Sequence, residues 1–183
     1  PIQLACLYGH VDVVRFFVEN GVSLTDENSM HSIHYACIGG DAATIEYLIS
    51  QKVDPNVMYC SNTPLCYAAK YGSLNAIKIL LKHKAAFKNR GRKNSPIHEA
   101  ALNGHLDVVR FFIEQGCDPN LYDSSGKSIL YSAIEGEQCD VAKFLLSRGA
   151  TVFPDGKYAK KTENQSLTKL QKSKSKSHSK REF

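Results

Sequence analysis

The stretches GHVDVVRFFVENG, at Gly9–Gly21, and GHLDVVRFFIEQG, at Gly104–Gly116, are nearly the same sequence. Ten of their thirteen positions are identical, and the other three are Val/Leu, Val/Ile and Asn/Gln exchanges. A match of this length, 95 residues further along one chain, is not expected by chance. It indicates that the chain contains an internal repeat.

A second repeated phrase connects the two copies. The segments PIQLACLYGH, SIHYACIGGD, PLCYAAKYGS, PIHEAALNGH and ILYSAIEGEQ align at Pro1, Ser32, Pro64, Pro96 and Ile129. Their spacings are 31, 32, 32 and 33 residues, and the first three spacings make up the 95 residues. The two long copies are therefore the first and fourth repeats of one five-unit array.

Each unit is predicted to form two short helices joined by a glycine turn. In the fourth unit, Ser95 can cap a helix that begins at Pro96, and Gly104 ends that helix. A second helix begins near Leu106, with Gly116 as its C-cap. Helical spacing gives the two helices the apolar faces Ile97, Ala100, Ala101 and Val108, Val109, Phe112, Ile113. Helices this short are marginal alone, so we expect each unit to bury these faces against its neighbours.

The motifs TPLCYAA, SPIHEAALNGHLDVV, KVDPN and GCDPN resemble the ankyrin repeat, whose signature is T-P-L-H-x-A in about 33 residues. The resemblance covers Pro1 to about Val152. It implies an all-α repeat solenoid, in which each unit is an L-shaped helix–turn–helix pair with a short projecting β-hairpin finger. It also implies a protein-binding platform without catalysis.

The predicted domain organisation is an array followed by a tail. The array, 1–154, consists of units of about 1–30, 31–61, 62–93, 94–126 and 127–154. The tail, 155–183, is rich in Lys and Ser, and we expect it to be disordered. It carries a net charge of +6, whereas residues 1–154 carry −1. The tail could serve nuclear import, hold a polyanion, respond to phosphorylation, or have no task.

Several features depart from the family pattern. The histidine position of the signature holds Gln3, His34, Cys66, His98 and Tyr131. We expect weaker hydrogen bonding to the finger wherever this residue is not histidine, and stunted fingers in the short units 1 and 2. Unit 5 has Gly136 one place early and Glu137 at the glycine position, which predicts a distorted turn. The chain begins inside a motif, at a proline, so we expect further repeats upstream.

The composition disfavours several classes of protein. A hydrophobic share of 43% with 22% charged residues is typical of a soluble folded chain, and no apolar run approaches the ~18 residues of a membrane span. No pair of the six cysteines has the C-x-x-C spacing of a zinc or thiol-redox site. Cys6 and Cys37 occupy positions where other units have alanine, which indicates small buried side chains in a reducing compartment, the cytoplasm or nucleus.

The sequence gives no support for catalysis. It contains no P-loop, no Gly-rich nucleotide fingerprint and no H-E-x-x-H motif. His34 and His98 fill a structural position of the resembling family, and Cys66 fills the same position in another unit. We therefore predict no enzyme activity, no cofactor and no metal ion.

The resemblance places partner binding on the concave surface of the first, inner helices and on the fingers. The candidate residues there are Leu7, Tyr8, Ile38, Tyr59, Lys70, Tyr71, Leu102, Asn103 and Glu135. Tyr8 and Tyr71 are large, rigid and half-polar, as interface anchors commonly are. The alternative is that such residues are ordinary surface apolar groups without a task. The resemblance also implies hydroxylation sites at Asn56 and Asn120.

Between Asp54 and Glu99 the sequence has no acidic residue but many basic ones, which include Arg90, Arg92 and Lys93. These three lie in the predicted finger between units 3 and 4, where arginine can hold a carboxylate or phosphate with two bonds. The pattern favours an acidic protein partner, and the alternative is a loop kept soluble by its charge.

Three hypotheses for function follow from these features. The first is a non-catalytic protein-interaction module or scaffold. The second is the targeting or regulatory part of a larger enzyme or receptor, such as a ubiquitin-ligase component, kinase or channel. The third is direct binding of nucleic acid or anionic lipid through the basic finger and tail.

Overall fold

The structure, a computed structural model, describes residues 1–24, 30–86 and 95–151. Within these ranges the chain forms ten α-helices in five successive pairs, of which we call the first helix inner and the second outer. The helices are α1 Ile2–Leu7, α2 Val11–Glu19, α3 Ser32–Gly39, α4 Ala42–Ser50, α5 Pro64–Lys70, α6 Leu74–Lys82, α7 Pro96–Leu102, α8 Leu106–Glu114, α9 Ile129–Glu135 and α10 Cys139–Ser147. The predicted helical repeat stack is confirmed. None of these helices has the length and hydropathy that a membrane crossing requires.

The inner helices stack in chain order, because α1 packs on α3, α3 on α5, α5 on α7 and α7 on α9. Small side chains at the contact permit this close approach, and all of them are buried. They are Ala5, Ala36, Ala68, Ala69, Ala100, Ala101 and Ala133. At two junctions even alanine would be too large, since a Cβ on Gly39 or Gly136 would collide with the carbonyl oxygen of Leu7 or Leu102.

The outer helices bury the predicted stripe and repeat one arginine contact. In α8, Val108, Val109 and Phe112 are fully buried, as the helical spacing predicts. The guanidinium of Arg110 lies 4.6 Å from the centre of the Phe144 ring in the next unit. Its counterpart in unit 1, Arg15, lies 5.0 Å from the centre of the Tyr47 ring in unit 2. The repeated sequence therefore makes the same contact to the following unit twice.

The two nearly identical helices α2 and α8 differ in burial. Val13 of α2 is 44% exposed, whereas Val108, at the same position of α8, is fully buried. Phe16 of α2 is 61% exposed, whereas Phe111, at the same position of α8, is half-buried.

Hydroxyl and carboxylate caps begin several of these helices. The Thr63 hydroxyl accepts a hydrogen bond from the Cys66 amide at 3.3 Å, and the Ser128 hydroxyl accepts one from the Tyr131 amide at 3.0 Å. Ser95 is the N-cap of α7, but its side chain makes no capping hydrogen bond. Ser95 is therefore the N-cap residue, as predicted, but the predicted capping hydrogen bond of its side chain is not formed.

The turn of unit 5 is not distorted, contrary to the prediction. Glu137 adopts the left-handed conformation that glycine has elsewhere, with φ of 58°. Its amide donates to the Ile134 carbonyl at 3.0 Å, as the Gly104 amide donates to the Ala101 carbonyl at 3.4 Å. The turn therefore keeps its hydrogen bonds, and the cost falls on the Glu137 backbone.

Two fingers lie within the described ranges, and each contains one antiparallel bridge, Tyr59 with Asn62 and Tyr122 with Ser128. The finger after unit 2 turns through only two residues, Cys60 and Ser61, whose φ angles are 47° and 65°. The finger after unit 4 turns at Asp123, whose Oδ1 accepts hydrogen bonds from the amides of Ser125 and Lys127. Residues 25–29 and 87–94, in the other two predicted fingers, fall outside the described ranges.

Candidate functional site

Equivalent residues of the five stacked inner helices form two parallel rows, which we call the inner-helix surface. One row is Leu7, Ile38, Lys70, Leu102 and Glu135, and the other is Tyr8, Gly39, Tyr71, Asn103 and Gly136. Tyr8 is 68% exposed and Tyr71 50% exposed. Lys70, Asn103 and Glu135 are also exposed, whereas Leu7, Ile38 and Leu102 are half-buried. The structure thus brings the candidates on the inner helices onto one surface.

The remaining candidates lie on fingers. Tyr59 is half-buried at the finger after unit 2. The other three finger candidates, Arg90, Arg92 and Lys93, lie outside the described residues.

Contacts from the next unit hold the rows in place. The Ser73 hydroxyl donates to the Ile38 carbonyl at 3.1 Å. Nε2 of His105 lies 2.8 Å from the Lys70 carbonyl oxygen and donates to it in the Nε2–H tautomer. Each contact satisfies an orphan carbonyl at the C-terminal end of an inner helix. A surface fixed in this way loses little conformational freedom when a partner binds.

Two tyrosines that were not among the predicted site residues, Tyr35 and Tyr67, lie between the inner-helix surface and the finger after unit 2. Tyr35 and Tyr67 are half-buried at equivalent positions of α3 and α5. The Tyr67 ring meets the His34 ring edge-on, with centroids 5.2 Å apart, and the Tyr59 ring centroid is 6.2 Å from that of His34. Burial raises the pKa of Tyr67, and the neighbouring Cys60 and Tyr59 act in the same direction. Their place one residue after the histidine position was the sequence signal that could have found them.

His34 and His98 occupy equivalent positions of units 2 and 4, but their rings differ in their hydrogen bonds. Nε2 of His98 lies 3.0 Å from the Lys127 carbonyl oxygen in the finger after unit 4. Neither ring nitrogen of His34 makes a hydrogen bond of good geometry with a described residue, but backbone groups of Val57 and Asn62, around the finger after unit 2, interact with the ring. The expected histidine–finger bond is therefore well formed at His98 and weaker at His34. Burial, reinforced by nearby His31, lowers the pKa of His34 to about 4, and burial also lowers that of His98. Both rings are thus neutral structural groups near neutral pH.

Charge divides the inner-helix surface into two halves. The inner helices α1, α3 and α5 contain one charged residue, Lys70, whereas α7 and α9 contain Glu99 and Glu135. Burial raises the pKa of Glu99, and the charge of Lys70 opposes this rise. Glu135 is paired with Lys127, whose Nζ lies 2.8 Å from its carboxylate. Units 1–3 therefore present apolar and basic groups, and units 4–5 present acidic ones.

Asn56 and Asn120 join the base of each finger to the end of the following unit. Oδ1 of Asn56 accepts from the Ala86 amide at 2.7 Å, and Oδ1 of Asn120 accepts from the Thr151 amide at 2.7 Å. Their amides thus have a structural role, and their hydroxylation stays a prediction. Over residues 1–24, 30–86 and 95–151, no three His, Cys, Asp or Glu side chains are grouped to hold a metal ion.

Comparisons with known proteins agree with this architecture. Models of ankyrin repeats match residues 2–49, 33–123 and 65–154. Alpha-latrocrustotoxin-Lt1a of Latrodectus tredecimguttatus is 28% identical over 176 residues, covering 85% of this chain and 12% of the toxin. Palmitoyltransferase AKR1 of Lachancea kluyveri is 27% identical over 166 residues, covering 84% of this chain and 22% of that protein. The chain thus spans less than a quarter of either relative.

A solved structure shows the same fold. The crystal structure of the human ASB11 ankyrin repeat domain superposes with a TM-score of 0.73 at 27% sequence identity. The superposition covers 82% of this chain and 70% of that domain. Stacked helix pairs, a repeat of 31 to 33 residues and family models that match most of the chain lead to one conclusion. The chain belongs to the ankyrin-repeat family.

Proposed function

We propose that this chain is a non-catalytic module that binds a protein partner through its inner-helix surface and fingers. The observation that carries the proposal is the continuous surface from Tyr8 to Glu135, on which large side chains are exposed although the helices beneath them are tightly packed. Exposed tyrosines on a rigid support are typical anchors of protein interfaces. Ankyrin repeats in general are protein-interaction units rather than catalytic ones.

The buried histidines support a non-catalytic role. The ring of His98 is bonded to a finger carbonyl, and the His34 ring is packed among aromatic rings away from solvent. A general base must reach a substrate proton, and neither ring can do so in this packing. The His98 ring instead helps to hold the finger after unit 4.

The partner that we propose is acidic. Support comes from the basic stretch between Asp54 and Glu99 and from Lys70, which is exposed within the inner-helix surface. Arginine and lysine attract acidic segments at long range and hold carboxylates at short range. The proposal therefore uses the finger after unit 3 together with the inner-helix surface.

Affinity capture from the native cell tests this proposal. Replacing Arg90, Arg92 and Lys93 together by Ser should weaken partner capture and leave the thermal unfolding midpoint nearly unchanged. A matched control replaces three lysines of the outer helices by Ser, namely Lys78, Lys82 and Lys143. If both triple variants capture the same partners at wild-type strength, the finger is only a solvated loop. Loss of binding with salt that is equal for any polyanion would instead favour nucleic acid or anionic lipid.

The second candidate function is targeting or regulation within a larger protein. The supporting observation is that the chain corresponds to 12% of the toxin and 22% of the palmitoyltransferase that it resembles. The complete reading frame decides this point, because a catalytic or channel domain joined to the array would be visible in it. In that case the inner-helix surface would recruit a substrate or a regulator to the joined domain.

We propose further that residues 1–154 fold as the binding array, that residues 155–183 form a separate basic tail, and that the protein acts in the cytoplasm or nucleus. The use of Cys6 and Cys37 as buried residues at alanine positions supports the reducing compartment. Capture with residues 1–154 and with 1–183, followed by fractionation of the cell, tests both points. Identical partners for the two lengths would show that the tail does not contribute to binding.

A further inference from the structure

A glycine of the inner-helix surface has an exposed tyrosine on either side of it in its row. Tyr8, Gly39 and Tyr71 are equivalent residues of the neighbouring helices α1, α3 and α5, and both tyrosines are exposed. Ile38, next to Gly39 in α3, is a half-buried apolar residue. We call this arrangement, formed by Tyr8, Ile38, Gly39 and Tyr71, the tyrosine notch.

Close packing of the helix backbones explains why residue 39 is a glycine, but it does not explain why tyrosines lie on both sides of it. A Cβ on Gly39 would collide with the Leu7 carbonyl, and Gly136 has the same relation to Leu102 in unit 5. Close helix packing therefore requires glycine in both units. The neighbour of Gly136 in this row is Asn103, whereas both neighbours of Gly39 are tyrosines. The same packing device thus leaves an aromatic notch at unit 2 and a polar surface at unit 5.

The positive charge of Lys70 stands beside the notch. Nζ of Lys70 lies 6.0 Å from the centre of the Tyr71 ring. Lys70 is exposed and makes no salt bridge with another described residue, although its charge acts on Glu99. The wall of the notch therefore carries a cation that a ligand carboxylate can pair with.

We propose that the tyrosine notch receives one large apolar side chain of a protein partner, next to an Asp or Glu that pairs with Lys70. This inference rests on the proposed function and specifies its partner as a segment that combines a bulky apolar residue with an adjacent acidic one. Glu99 of α7 disfavours such a carboxylate over unit 4, whereas Glu135 is already paired with Lys127. The charge of Lys70 disfavours a basic segment.

Selection from a display library of short random peptides on the full chain tests the inference. The variants are Tyr71→Ser, Tyr8→Ser and Lys70→Glu, with Asn75→Ser, an exposed position of the outer helix α6, as the control. We expect enriched peptides to carry a bulky apolar residue next to an acidic one. In fluorescence anisotropy, the dissociation constant of an enriched peptide should rise by about tenfold or more in each notch variant. It should be unchanged in Asn75→Ser.

The charge variant gives the sharpest outcome. Selection on the Lys70→Glu chain should enrich peptides with a basic residue in place of the acidic one, while the bulky residue stays. The inference is overturned if enrichment ignores peptide charge, if no peptide is enriched, or if the enriched peptide binds Tyr71→Ser as tightly as the wild type. In the last case the proposed function still stands, with another part of the inner-helix surface as its site. Circular dichroism of each variant confirms that the helices are intact.

Discussion

Phe112 of α8 is fully buried, whereas Phe16 of α2, which corresponds to Phe111 in the repeat, is largely exposed. Replacing Phe112 by Ala should lower the free energy of unfolding by about 3–5 kcal/mol, because a large side chain leaves a cavity in the stack. Replacing Phe16 by Ala should change it by no more than about 0.5 kcal/mol. Urea unfolding of the two variants measures both values. Equal losses at the two positions would contradict the burial described for α2 and α8.

Because His34 is buried, the stability of the protein should depend on pH. The folded-state pKa of about 4 lies below the ordinary 6.5, because burial disfavours the charged ring. The unfolded state therefore takes up a proton first as the pH falls. The stabilising contribution is complete above pH 6.5 and is lost between pH 6.5 and 4, by an amount on the order of 3 kcal/mol.

The variant His34→Gln, with the residue that unit 1 has at this position, isolates this effect. Urea unfolding at pH 7.5 and at pH 4.5 should show a smaller loss of stability in the variant than in the wild type. Some loss remains, since burial also lowers the pKa of His98. If the two proteins lose the same stability over this range, His34 does not carry the pH dependence.

At the scale of an element, the finger after unit 2 has an unfavourable turn. Both central residues, Cys60 and Ser61, have positive φ angles, a conformation that favours Asn and Gly in two-residue hairpins. Replacing them by Asn and Gly should raise the free energy of unfolding by about 1–2 kcal/mol, because non-glycine side chains are strained there. The urea midpoint measures this gain.

The matched control makes the same exchange in the finger after unit 4, at Ser124 and Ser125. Neither residue has a positive φ angle, and the Ser125 hydroxyl is bonded to Asp123 at 2.8 Å. We therefore expect no gain, or a small loss, in the control. A gain of the same size in both fingers would mean that the composition of the loop, and not the turn conformation, sets its stability.

At the scale of the whole molecule, the sequence could predict the features that recur in every unit. The spacing of 31 to 33 residues and the helical apolar faces predicted the stack and the burial of Phe112, because every interior unit meets the same neighbours. It could not predict that the Ser95 side chain makes no capping bond, that His34 contacts its finger less well than His98 does, or that the turn at Glu137 is intact. These depend on atomic geometry between units, which residue identity does not determine. The repeat alignment singled out Tyr8 and Tyr71 as candidates. The reason for the glycine between them, its close contact with the Leu7 carbonyl, is visible only in the structure.

The repeat architecture also predicts where unfolding begins. Each unit is stabilised by the apolar contacts that it makes with its neighbours, so a helix whose apolar residues are exposed should open before one whose apolar residues are buried. Val13 of α2 is 44% exposed, whereas its equivalent in the nearly identical α8, Val108, is fully buried. Native-state hydrogen exchange compares the two helices within one molecule, with sequence almost constant.

We expect the backbone amides of α2 to exchange faster than those of α8 by about tenfold or more. The reason is that each large apolar side chain left in water, such as Val13 or Phe16, forgoes about 1.5–3 kcal/mol of burial. Because intrinsic exchange rates follow local sequence, the seven identical positions within the two helices act as internal controls. Equal protection of α2 and α8 would show that the array opens as one cooperative body, and that the exposed apolar residues of α2 do not weaken it.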